Sequence, residues 1–106
     1  MTREELIQFH EDFCKEMVET IKQKNNDYSS AMDNAFGNLS AVERLGIATT
    51  EKGILVRMTD KISRINTFIQ GHRYQVKDES VMDTLKDLAN YTILLAAVIK
   101  DKQKER

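Results

Sequence analysis

The chain has 106 residues, with sixteen basic and seventeen acidic side chains for a net charge of −1, one cysteine and no proline. That length is one domain. The balanced charge offers no general field for nucleic acid or an anionic membrane, and a lone Cys14 cannot staple a fold. With only four glycines as well, turn-rich β architectures are disfavoured and helices expected.

Taken from the N-terminus, Thr2 followed by Glu5 is a capping box that opens a helix to about Lys24. Leu6, Phe9, Phe13, Met17 and Ile21 recur every three or four residues and form its apolar stripe. Cys14, among Phe13 and Met17, reads as a small buried apolar residue. "MTREELIQFHEDF" is too charged for a secretory signal, and no apolar run approaches the ~18 residues of a membrane span. A cytoplasmic protein without membrane contact is expected.

Residues 25–49, rich in Asn, Asp and Ser at first, compete with helical backbone bonding. They read as an irregular segment holding one short helix from about Leu39 to Leu45, with Asn38 as its cap and Gly46 as its end. A loop this long usually has a functional role, and this one, with Asp27 and Tyr28, is expected to close over a polar cleft.

A second long helix spans about Thr50 to Gln70, its stripe formed by Ile54, Leu55, Met58, Ile62, Ile65 and Ile69, with Gly71 at the left-handed C-terminal position. A third runs from Ser80, boxed with Asp83, to about Lys100, with Leu85, Leu88, Leu95 and Ile99 as its stripe. Over "ANYTILLAAVI" it is apolar on nearly every side, which requires cover on every side; in so short a chain that predicts a homo-oligomer. Residues 101–106 are expected to fray. The whole is a single all-α domain, three long antiparallel helices plus one short helix, completed by oligomerisation.

Two constellations carry chemistry. Glu79, Asp83 and Asp87 are spaced by four, and on a helix they share a side. Like charges there repel, whereas a row of carboxylates suits a hard cation such as Mg²⁺; dipole-favoured acids in a first helical turn are the bland alternative. Arg57, Lys61 and Arg64 share a face of the second helix with Asp60 nearby, and suit phosphate oxygens or ion pairs with the next helix. Asn90 continues the acidic line. Tyr28, Tyr74 and Tyr91 are stacking candidates, although packing is the commoner role of a tyrosine. His10 and His72 have no partner at ligand spacing. No Ser–His or Cys–His pattern marks a nucleophile, so no catalytic residue is assigned.

"KNNDY", "KGILVRMTDKISRI" and "VKDESVMDTLKDLANY", in this order, resemble a small bacterial and phage family, the nucleotide modification associated domain of the first type, over roughly residues 22–95. That family is distantly similar to the MazG-like and dimeric dUTPase all-α nucleotide pyrophosphatases. The resemblance implies Mg²⁺ on Asp83 and Asp87, with Glu79 beside them and Asp60 on the earlier helix. It also implies a nucleotide or nucleotide-derived ligand, a site shared between subunits, and a phage protein's place in the host cytoplasm; Arg57, Lys61, Arg64, Asp27, Tyr28, Asn90 and Tyr91 are the residues expected to hold that ligand. Where the pyrophosphatases carry a glutamate pair, this chain offers only Asp60 among cations. Three functions follow: a Mg²⁺-dependent pyrophosphohydrolase or nucleotide-modification accessory, a non-catalytic binder that sequesters a nucleotide signal of host anti-phage defence, or a helical interaction protein.

Overall fold

In a computed structural model, which describes residues 1–29, 36–71 and 80–104 (side chains of 25–29 excepted), the chain is all-α. Helix α1 spans Arg3–Ser29, α2 Ala41–Arg44, α3 Thr50–Ile69 and α4 Val81–Gln103. No strand occurs among the described residues, and no helix there is long and apolar enough to cross a membrane.

The caps explain where the helices begin. At α1 the Glu5 backbone N–H donates to Thr2 Oγ1 (3.1 Å) and the Thr2 N–H donates to the Glu5 carboxylate (3.3 Å). Ser80 and Asp83 make the same reciprocal exchange at α4. At α3 the cap is Thr49, whose hydroxyl accepts from the Lys52 N–H. Gly46 and Gly71 sit at φ +73° and +86°, the left-handed region in which a residue without Cβ follows a helix at little strain.

Three boundaries differ from the sequence expectation. Helix α1 continues through the Asn/Asp run to Ser29, so Asp27 and Tyr28 lie on helical backbone and not in a loop. Unbroken helix on the N-terminal side satisfies those amides despite the run's poor propensity. The short helix is Ala41–Arg44, with Ser40 and not Asn38 at the N-cap position, where its side chain makes no capping bond. Helix α4 extends to Gln103 because Lys102, inside the stretch expected to fray, is held by Glu43 and Glu51.

Helices α3 and α4 form the main antiparallel pair, α1 packs across α4, and α2 sits on α3. The pairing Glu51–Lys102 at one end and Lys61–Asp87 further along fixes the antiparallel sense. Gly53 lets α2 approach: a Cβ there would fall 2.9 Å from Val42 Cγ1. The fully buried apolar core is thin, consisting of Met17, Ile54 and Val98 among the described residues. Of the expected stripes, Leu6, Phe9, Leu55, Ile62, Ile69, Leu85 and Ile99 remain substantially exposed. Cys14 is exposed as well, correcting the buried role read from its neighbours; it lies to one side of the face that Met17 buries.

Candidate functional site

Where α1, α3 and α4 meet, Asp87 lies between two cations. Lys61 Nζ of α3 is 3.2 Å from its Oδ2, and Lys24 Nζ of α1 donates to its Oδ1 at 3.3 Å. Lys61 and Asp87 are largely buried, at 15% and 20% side-chain exposure, whereas Lys24 is about half exposed at 47%. This is the one described ion pair in which both partners are less than a third exposed. Its position follows from helix geometry: Lys61 is two turns beyond the buried Ile54 on the α4-facing side of α3, and Asp87 lies between Thr84 and Leu88 on the α3-facing side of α4.

The sequence placed Arg57, Lys61 and Arg64 on one face, and the i, i+4, i+7 spacing on α3 keeps them there. Arg57 is exposed, and Lys61 and Arg64 are half-buried. Asp60 is exposed beside them, without a described ion-pair partner. Among the described residues, two lysines thus meet the Asp87 carboxylate, with Arg57 one turn before Lys61 and Arg64 one turn after it on α3.

The acidic row has separate partners. Asp83 is exposed, and its carboxylate turns back to the Ser80 backbone N–H at 3.3 Å; that bond, and then the Ser80 hydroxyl, hold its carboxyl below the usual carboxylate range. Asp87 belongs to the lysines. Glu79 lies outside the described residues, as do His72 and Tyr74 and the side chains of Asp27 and Tyr28. Among the described residues no group of three carboxylate, histidine or cysteine side chains converges on a possible metal position. Of the expected metal donors within the described residues, Asp83 is engaged by its helix cap and Asp87 by the two lysines.

Asn90 is buried, and its amide donates to the Met17 carbonyl of α1 at 3.2 Å. It ties α1 to α4 from inside, a role that leaves this group turned away from solvent. Tyr91 is half-buried on α4.

Sequence reasoning missed Lys24 as a site residue, since nothing local announces a partner 63 positions away. It also missed a clasp at the other end of the bundle. Lys102 Nζ lies 2.6 Å from Glu43 Oε1 and 2.7 Å from Glu51 Oε1, while Glu43 Oε1 also accepts the Thr50 N–H at 3.0 Å. The hydrogen bond from Lys102 is the main cause holding both carboxyls below their usual range, and the two glutamates raise Lys102 in return. Lys86 pairs with Glu16 and lies over the Phe13 ring at 5.6 Å, joining α4 to α1.

Residues 24–100 match the sequence profile of the family described as nucleotide modification associated domain 1. No curated protein and no solved structure shows significant similarity to the chain.

Proposed function

Because the chain belongs to the nucleotide modification associated domain 1 family, and so has a nucleotide-related role, we propose that it binds the phosphate of a nucleotide or nucleotide-derived small molecule at the α1–α3–α4 junction. The observation that carries this is the Lys24–Asp87–Lys61 arrangement. An anion entering beside Asp87 meets two ammonium groups already held near each other by the carboxylate, with Arg57 and Arg64 on the same helix face to extend the contact. Charge-assisted bonds from Lys and Arg are the strong ones for phosphate oxygens. The binding is without turnover, the mode of a protein that sequesters a nucleotide. Mg²⁺-dependent pyrophosphohydrolysis, the alternative reading from the sequence, would use Asp83 and Asp87 as metal ligands, and in this chain the first is engaged by its helix cap and the second by lysines. We read the protein as a homo-oligomer, in keeping with the thin core of the single chain.

The test is to denature the purified protein and identify any released small molecule by mass spectrometry, then to titrate nucleoside mono-, di- and triphosphates calorimetrically in EDTA and in Mg²⁺. Binding of a nucleotide in EDTA, recovered unchanged and weakened at least about tenfold by Lys61→Ala, is the expected result. Turnover that needs Mg²⁺ replaces this reading with the enzymatic one, and failure of every nucleotide to bind leaves an interaction protein.

A further inference from the structure

Lys24 stands on a different helix from Lys61 and Asp87, so it reaches the junction only where α1 crosses α4 in one register. Much of what holds α1 to α4 leaves that register open. Met17 is buried at the crossing, but an apolar contact has no direction. Lys86 pairs with a 59% exposed Glu16 and lies over the Phe13 ring, and a long, exposed ion pair can follow a helix that shifts. Asn90 is different. It is buried, and its amide donates to the Met17 carbonyl at 3.2 Å, a backbone oxygen whose place is fixed by α1 itself. A buried amide costs free energy wherever it lacks a partner, so it selects the arrangement that supplies one. A single buried asparagine sets the register of paired helices in coiled coils for this reason.

We infer that Asn90 is a positioning residue for the phosphate site: its bond to the Met17 carbonyl sets the register in which α1 crosses α4, and so brings Lys24 to Asp87. The inference rests on the phosphate-site reading and adds what assembles that site. Helix geometry links the two contacts. Asn90 lies three residues beyond Asp87 on α4, and Lys24 seven beyond Met17 on α1, so the members of each pair share a face of their helix. Were α1 to slip along α4 by one turn, about 5.4 Å, Thr20 or Ile21 would stand where Lys24 does, and neither carries a charge. Asn90 itself is turned toward α1 and away from solvent; it acts through Lys24 and not on the ligand.

Zero-length carbodiimide coupling, which joins an ammonium to a carboxylate in contact with it, tests this on the whole chain, with the links located by mass spectrometry. Wild type should give Lys24–Asp87, Lys61–Asp87 and Lys102–Glu51 links, all ion pairs of the fold. Asn90→Leu keeps the size of the side chain and removes the donor, and the Met17 carbonyl retains its bond within α1. It should lose most of the Lys24–Asp87 link and keep the other two, and the smaller Asn90→Ala should do the same. Calorimetric titration in EDTA with ATP, GTP, CTP and UTP gives the second readout. Whichever of them wild type binds should be weakened about fivefold by Asn90→Leu, as by Lys24→Ala, and no further by the two together. An undiminished Lys24–Asp87 link, or equal loss of all three links in both variants, overturns the inference, as does a lost link with unchanged affinity. Failure of wild type to bind any of the four nucleotides overturns the site reading, and with it the role of Asn90 in binding, whatever the links show.

Discussion

Replacing Asp87 with Asn isolates the charge at the three-helix junction, because the amide keeps the shape of the carboxylate and removes its charge. In the folded chain the carboxylate is 3.2 Å from Lys61 Nζ and 3.3 Å from Lys24 Nζ. A fully buried pair broken on one side costs about 3–5 kcal/mol, and an exposed pair contributes less than about 1 kcal/mol. With Lys61 and Asp87 mostly buried and Lys24 half exposed, about 1–3 kcal/mol is expected. For a domain of this size that is a fall in melting temperature of roughly 5–12 °C, which calorimetry or circular dichroism resolves. A cycle with Lys61→Met should show strong non-additivity, since removing the ammonium also removes the reason for the carboxylate. The same substitution should also weaken nucleotide binding, about tenfold or ~1.4 kcal/mol, because the carboxylate is what holds Lys24 and Lys61 near one position. Loss of nucleotide binding together with loss of a Mg²⁺ requirement would falsify the assignment, because it makes Asp87 a metal ligand.

Gly53→Ala places a methyl 2.9 Å from Val42 Cγ1 and should destabilise by about 1–3 kcal/mol through overpacking, offsetting its gain in helix propensity; a melt above wild type would show that α2 is free to move aside. Ser80→Ala removes the hydroxyl that accepts the Asp83 N–H and should cost about 1 kcal/mol, measured by denaturant titration, with nucleotide affinity unchanged. The clasp sets a pH dependence: the carboxyls of Glu43 and Glu51 are held below their ordinary value of 4.5 by Lys102, so their contribution is complete above that value and is lost as pH falls through the lower folded ones. Lys102, raised above 10.5, contributes fully below that pH and loses its share as pH rises past its folded value. Lys102→Met should therefore flatten melting temperature against pH at both extremes, and an unchanged profile would show that the clasp does not stabilise the fold.

Features set by neighbours within one turn were legible before the fold was known. The Thr2–Glu5 and Ser80–Asp83 boxes, the left-handed glycines at 46 and 71, and the three long helices all follow from local spacing. The common face of Arg57, Lys61 and Arg64 is likewise a property of one helix. What pairs with that face is not. The Lys24–Asp87 contact and the Lys102 clasp join residues dozens of positions apart, and only packing selects one lysine among many. Periodicity also overstated burial: it identifies the apolar side of a helix, as at Leu55, Ile62 and Leu85, without saying whether the cover comes from the same chain.

The acidic spacing on α4 has a physical account once its members are separated. A row of carboxylates spaced four residues apart is unfavourable if each charge stands in water facing the next. Asp83 instead closes the capping box, where the helix dipole and an otherwise unsatisfied N–H both favour a negative charge. Asp87, one turn deeper, is too far from the terminus for that help and sits where water is scarce, and two lysines from other helices supply what the dipole does not. The same arrangement determines what the junction can attract. A carboxylate there gathers cations that would otherwise disperse into solvent, holding Lys24 and Lys61 on either side of one position at modest cost in mutual repulsion. Arg57 and Arg64 flank Lys61 on the same face of α3. A divalent metal binding Asp87 there would have to displace its ammonium partners, whereas a phosphate would share them.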